Sequence, residues 1–215
     1  MQSMNAADVK SIFLHLKAIM EREKENLTIL DSIMGDGDLG ITMTRAFSAA
    51  HEEAAQSEEK MPGRLFTKLG MVIAKTSPST MGTLLATGFM RGGKSLEERS
   101  EIGTSELAVF FENFVKSIME RGKSAPGNKT VIDTLYPATL ALRNAADHQE
   151  SLKEAITAAS IASREGLEAS TQMKAQYGRA AYYQANSIGK QDAGATVGIF
   201  IIEGFFLEIM ALHSE

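Results

Sequence analysis

The eighteen residues from Ala195 to Leu212 constrain the fold more than any other part of the sequence. Val197, Ile199, Phe200, Ile201, Ile202, Phe205, Phe206 and Leu207 leave no polar face on a helix of that length. A segment apolar all round must be buried, inside a protein core or inside a bilayer. Glu203 and Glu208 argue against the bilayer, since each would cost about 2.5–3.5 kcal/mol at its centre. The Val/Ile run would suit a strand in isolation, but no second convincing strand exists to pair with it. A buried core helix is the better reading.

Helical segments are present along the whole chain. Residues from about Asn5 to Glu25 carry Ile12, Phe13, Leu16, Ile19 and Met20 at helical spacing. Ile41 to about Gln56 reads as a second helix. Pro62 suits a first helical position, with Leu65, Leu69, Val72, Ile73 and Thr76 following on one face. Ser77-Pro78-Ser79-Thr80 breaks that run, and Met81, Leu84, Leu85 and Phe89 begin another. Arg91-Gly92-Gly93-Lys94 reads as a loop, and Ser95 with Glu98 has capping-box spacing. A helix from about Ser105 to Arg121 stops at Gly122. Thr130 to Asp147 is helical in pattern, with Pro137 expected to kink it or mark a late start. Ser151 and Glu154 form a capping box that opens a run to about Met173. Gln176 to Gly194 reads as irregular. About eight helices on short loops imply an all-α, antiparallel up-and-down bundle or barrel, spanning residues 1–215 as a single domain. In such a fold alternate loops gather at one end. Those near 31–40, 77–82, 122–130 and 178–194 hold nearly all the chemically interesting residues.

The net charge of −5 argues against nucleic acid or an anionic membrane as the main partner. Without a cysteine there is no disulfide, Cys-ligated zinc or cysteine nucleophile. The polar N-terminus lacks a signal-peptide core, so a cytoplasmic protein is expected.

Chemistry concentrates in Leu30-Asp31-Ser32-Ile33-Met34-Gly35-Asp36-Gly37-Asp38-Leu39-Gly40. Three aspartates this close repel one another, and three glycines lose much backbone entropy on ordering. A shared divalent cation offsets both, and hard oxygen donors suit Mg²⁺ or Ca²⁺. Helix signals resume at Ile41, so the turn adjoins a helix start that favours anions. A metal cluster beside an anion-binding helix end is what a nucleotide phosphate tail requires. The plain alternative is a turn of aspartate caps. An EF-hand register fails, because it puts Ile41 at the glycine position and Phe47 at the bidentate glutamate.

Two nucleotide-binding patterns match by spacing alone. Gly35 to Gly40 fits a dinucleotide fingerprint, with Ile29–Met34 passing for its strand, but its aspartates would oppose a pyrophosphate. Gly88 to Ser95 fits a P-loop, yet a helical run precedes it; Gly92 and Gly93 read better as a helix C-cap and turn. His15, His51, His148 and His213 are scattered with no metal spacing. Arg179 stands as a phosphate partner or a surface ion pair, Asp192 as a site residue or a plain N-cap. Lys129-Thr130 stands as a phosphate contact or an ordinary helix start.

Jointly, the Gly-Asp-Gly-Asp turn, the Pro126-Gly127-Asn128-Lys129-Thr130 loop, Gly178-Arg179-Ala180 and Ser187 to Gly194 resemble the nucleotide-binding L subunit of bacterial dihydroxyacetone kinase, over nearly the whole chain. The resemblance implies a barrel of eight antiparallel helices with ADP or ATP held across one end by two Mg²⁺ ions. It implies Asp31, Asp36 and Asp38 as the metal ligands. Leu39, Gly40, Ile41, Thr42, Ser79 and Thr80 would bind phosphate. Gly122 and Val131 would lie near the adenine, Arg179 on a phosphate, and Asp192, Ala193 and Gly194 in a nucleotide-contacting turn. Two positions and one loop depart from the family pattern. Leu39 replaces its usual histidine, Asn128 its usual aspartate, and Ser77 to Gly82 its Gly-Gly loop.

The resemblance further implies a phosphotransferase subunit with no catalytic side chain of its own. The ketose would sit on a separate K subunit docked over the nucleotide end, with free ATP or a phosphotransferase-system protein as phosphoryl donor and a homodimer as a possible assembly. Three alternatives stand beside it: a non-catalytic nucleotide- or Mg²⁺-sensing regulatory module, a P-loop ATPase using Lys94, and an ATP-binding domain like that of fatty-acid kinase.

Overall fold

The apolar C-terminal stretch is a helix. The computed structural model describes residues 3–213, in which nine α-helices and one 3-10 helix occur and only an isolated bridge between Met4 and Ile102 is β-like. The helices are α1 (Ala6–Arg22), α2 (Lys24–Met34), α3 (Leu39–Gln56), α4 (Pro62–Thr76), α5 (Thr80–Lys94), α6 (Thr104–Gly122), α7 (Ile132–Asp147), α8 (Leu152–Thr171) and α9 (Ala193–Leu212); the 3-10 helix is Arg179–Ser187.

Packing closes a ring. Going round, α1 touches α3, then α4, α5, α6, α7, α8 and α9 follow in order, and α9 returns to α1. The apolar α9 packs against α8, α1, α7 and α2. Antiparallel pairing shows in cross-helix bonds: Thr44 Oγ1 donates to the Met20 carbonyl at one end of the α1–α3 pair, and Lys10 Nζ to the Ser57 carbonyl at the other. The expected eight-helix barrel is therefore present, and α2 is an extra helix outside it, packed on α3.

Phenylalanine fills the barrel. Phe13, Phe47, Phe66, Phe89, Phe110, Phe111, Phe114 and Phe205 come from six helices and are fully buried. Ring centroids lie 4.5 Å apart for Phe66–Phe110, 4.9 Å for Phe111–Phe205 and 5.2 Å for Phe13–Phe89. Each such ring contributes about 1.5–3 kcal/mol by burial, with about 0.5–1.5 kcal/mol more for a good aromatic pair. Helix α9 is a core element as its composition requires, and both of its glutamates are answered by α1. Arg22 Nη2 stands 3.2 Å from Glu203, and His15 Nε2 stands 3.2 Å from Glu208.

Three local expectations are corrected. Helicity does not end near Glu25: Glu23 closes α1 and opens α2, so Ile29 to Met34 is helix, not strand. Gly92 and Gly93 form no turn; α5 runs through both. A Cβ on Gly92 would lie 2.9 Å from the Phe110 ring, and one on Gly93 2.5 Å from the Gly63 carbonyl, so these glycines permit close helix contact. Ser95 is the C-cap of α5, not the start of a capping box. Helix α7 continues through Pro137, whose missing N–H frees the Asp133 carbonyl; α8 lays Gly166 against that carbonyl, where a Cβ would approach to 2.2 Å. The P-loop pattern has no strand before it and an exposed lysine, Lys94, at its end.

Candidate metal centre at the barrel rim

Connections α2–α3, α4–α5, α6–α7 and α8–α9 all meet at one end, as the loop spacing predicts. In the first, each glycine has a steric task. Gly35 leaves room for the Asp31 carboxylate, which a Cβ would meet at 2.1 Å. Gly37 adopts φ +75°, a left-handed conformation that suits glycine. Gly40 lets the start of α3 press on α2, where a Cβ would lie 2.0 Å from the Lys24 carbonyl.

That crossing brings one carboxylate oxygen from each of Asp31, Asp36 and Asp38 within 4.8 Å of the others. Asp31 is half-buried, the other two exposed. Asp31 Oδ2 accepts from the Leu39 N–H at 3.3 Å, capping α3 from across the turn. Asp38 stands at the N-cap position of α3, yet its side chain caps nothing. The plain reading of these aspartates as turn caps therefore fits Asp31 in part and fails for Asp38. Burial first, then repulsion from Asp36 and Asp31, holds the Asp38 carboxyl above the usual carboxylate range, with Arg179 offsetting part of this. A divalent cation would reverse the balance, and an all-carboxylate oxygen donor set suits Mg²⁺ or Ca²⁺.

Arg179, at the start of the 3-10 helix, places Nη2 2.8 Å from Asp36 Oδ2. In the protein alone Arg179 is thus ion-paired with a candidate metal ligand. Leu39, Gly40 and Thr42 are buried in the first turn of α3, while Ile41 is exposed. This helix start offers the free backbone donors that anions use.

A second group of candidates comes together on the same rim. Gly194, in the first turn of α9, faces Met81 and Val131; a Cβ there would lie 2.9 Å from Met81 Cε and 3.6 Å from the Val131 nitrogen. Gly122, at the end of α6, faces Leu84, whose Cδ2 would be 3.3 Å from an added Cβ. Gly122 and Gly194 thus lie beside Leu84 and Met81, two side chains that helical spacing assigned to the core and that pack against it. Ser79 caps α5 by accepting from the Gly82 N–H at 3.1 Å, which leaves its O–H to donate; Thr80 beside it is exposed. Asp192 is a true N-cap, accepting from the Ala195 N–H at 2.7 Å, with Ala193 buried behind it. Burial pushes its carboxyl up to about 6, against the pull of that hydrogen bond and of Lys129.

Lys129 is not a phosphate contact. Its side chain is buried, with Nζ on the carbonyls of Thr171 and Ser187. Asp133, absent from the sequence-level candidates, organises the same loop by accepting from the Gly127 and Thr130 N–H groups, both at 2.6 Å. Its position three residues after Thr130 is the capping-box spacing that would have revealed it. Tyr177 O–H donates to the Lys123 carbonyl, which joins this loop to the α8–α9 connection.

Residues 33–206 match the DAK2 domain family. The chain is 32% identical over 185 residues to the ADP-binding subunit DhaL of the PEP-dependent dihydroxyacetone kinase of Escherichia coli strain K12, covering 86% of this chain and 88% of that protein. It is 31% identical over 182 residues to D-erythrulose kinase of Mycolicibacterium smegmatis, which is longer; the match covers 84% of this chain and 31% of that one. Among solved structures, the dihydroxyacetone kinase from C. freundii in complex with AMP-PNP and Mg²⁺ superposes with a TM-score of 0.73 at 21% identity, over 96% of this chain and 34% of that chain.

Proposed function

The chain belongs to the DAK2 domain family, and on that premise we propose that it is the ADP/ATP-binding, Mg²⁺-dependent phosphoryl-transfer subunit of a kinase for dihydroxyacetone or a related short ketose. The observation that carries this reading is the convergence of Asp31, Asp36 and Asp38 within 4.8 Å, with the Asp38 carboxylate used for no helix cap. When bound there, Mg²⁺ supplies charge neutralisation for a polyphosphate. Asp31, Asp36 and Asp38 hold that charge in place. The N-terminal turns of α3 and α5 orient phosphate oxygens through backbone donors. Met81, Leu84, Val131, Gly122 and Gly194 give the base an apolar seat. Arg179, which pairs with Asp36 in the protein alone, would be free to form a charge-assisted bond to a phosphate if that carboxylate held a cation.

Among the described residues no histidine lies on this rim, and in this reading the ketose sits on a K-type partner subunit docked over this end. Exposed Ile29 and Ile33 on α2, Ile41 on α3 and Tyr182 on the 3-10 helix ring the acidic turn and suit such a contact. In the assembled enzyme the phosphoryl donor is free ATP or a phosphotransferase-system protein acting on retained ADP.

The test is an assay of the chain with a K-type subunit, Mg²⁺ and dihydroxyacetone, comparing ATP with a reconstituted phosphotransferase system. Ketose phosphate formed only when both subunits are present supports the proposal, and Lys94→Ala is expected to match the wild type. Nucleotide binding without turnover under every donor would favour a regulatory module instead.

A further inference from the structure

The connection between α8 and α9 crosses the rim as an arm with almost no core of its own. Among residues 172–187 only Ala175 and Ser187 are buried. Arg179 sits midway along it, eight residues from Thr171 and eight from Ser187. A segment with so little apolar burial is held by polar contacts or not at all.

Between its ends, the Gln176 N–H donates to the Asn128 carbonyl at 3.2 Å and Tyr177 O–H to the Lys123 carbonyl, while one side chain holds both of its ends. Lys129 is 2% exposed and sits in the left-handed region at φ +59°, a conformation a lysine keeps only when its surroundings impose it. Its ammonium donates to the Thr171 carbonyl at 3.1 Å and to the Ser187 carbonyl at 2.8 Å. These are the last residue of α8 and the last residue of the 3-10 helix, so one ammonium grips both ends of the arm. Each grip is at a helix C-terminus, where the helix dipole favours a cation. Asp192 and Asp133 add attraction from a distance. Around this clip the Gly189 N–H donates to Thr171 at 2.7 Å, and Ser187 Oγ accepts from the Ala175 N–H at 2.9 Å.

We infer that Lys129 is a positioning residue: by clamping both ends of the 172–187 arm it sets where Arg179 stands over the acidic turn. This role rests on the functional reading above for its consequence, but not for its geometry. Removing the clip would loosen the arm and uncouple Arg179 from the site, while the barrel, held by its phenylalanine core, keeps its packing.

Hydrogen exchange on the full chain, read by mass spectrometry for Lys129→Met and Lys129→Gln without nucleotide, tests the clip directly. Exchange in 172–190 is expected to quicken about tenfold or more, with α6 and α9 unchanged. If the methionine variant fails to fold, the glutamine variant, which keeps two N–H donors, carries the test in the same direction. Wild-type protection of 172–190 in a folded variant would overturn the inference. Titration with Mg²⁺ and ADP then asks whether the clip acts through Arg179. Arg179→Ala and Lys129→Met are each expected to weaken binding about tenfold, and the double variant little further. Additive losses, or a loosened arm with unchanged affinity, would overturn the positioning role. Failure of the wild type to bind Mg²⁺ and ADP would instead overturn the functional reading.

Discussion

Asp38→Ala is expected to lower Mg²⁺-dependent ADP affinity on the order of 100-fold, roughly 2.7 kcal/mol, and to leave the fold intact. The direction of the two effects differs for one reason. In the protein alone the Asp38 carboxylate gives α3 no cap and is disfavoured by burial and by Asp36 and Asp31. Removing it therefore relieves repulsion. Because the group is exposed and screened, the gain is small, about 1 °C in Tm. On the proposed reading the same carboxylate is a ligand of the cation, and phosphoryl transfer in the assembled enzyme is expected to fall at least as steeply as affinity. Calorimetry and a thermal scan on the same preparation check both signs. A variant that loses stability and keeps affinity would make Asp38 a structural residue. Stability held back at a functional site in this way is common.

Gly40→Ala is expected to be the most damaging small substitution near the site. The added methyl would lie 2.0 Å from the Lys24 carbonyl and 2.4 Å from Thr28 Oγ1, so the obstruction is largely backbone and cannot swing aside. Helices α2 and α3 must separate. Overpacking of this kind costs about 1–3 kcal/mol, which corresponds to a fall of roughly 2–12 °C in Tm for a chain of this size. Asp31 rides on α2 while Asp38 opens α3, so the separation also spreads the three carboxylates. Metal-dependent nucleotide affinity is thus expected to fall although no ligand has changed. Thermal unfolding together with a Mg²⁺ and ADP titration measures both, and a variant within 1 °C of wild type would show that α2 yields without cost.

Most of the barrel was legible in the sequence because its determinants are local. Ser151 and Glu154 form the capping box their spacing announces, and Pro62 opens α4. The 195–212 stretch is the core helix that its missing polar face demands. Helix α2 escaped because it lies outside the ring: only Leu27 and Met34 are buried on it, too few to make a periodic stripe. Gly92 and Gly93 misled because a glycine pair looks like a turn, whereas here each lets a facing helix approach. The acidic turn was readable from charge crowding alone. Lys129 was not, since its partners are 42 and 58 residues away and are backbone carbonyls, which carry no residue-type signal.

The acidic turn makes this chain a nucleotide carrier only if cation and nucleotide bind together, and one calorimetric comparison addresses that point. ADP is titrated into the wild-type protein in millimolar Mg²⁺ and again after chelation with EDTA. The account predicts tight binding in the first case and a loss of at least 100-fold in the second. Equal affinity in both would contradict it, because the phosphates would then be held without the metal that Asp31, Asp36 and Asp38 are assigned to bind.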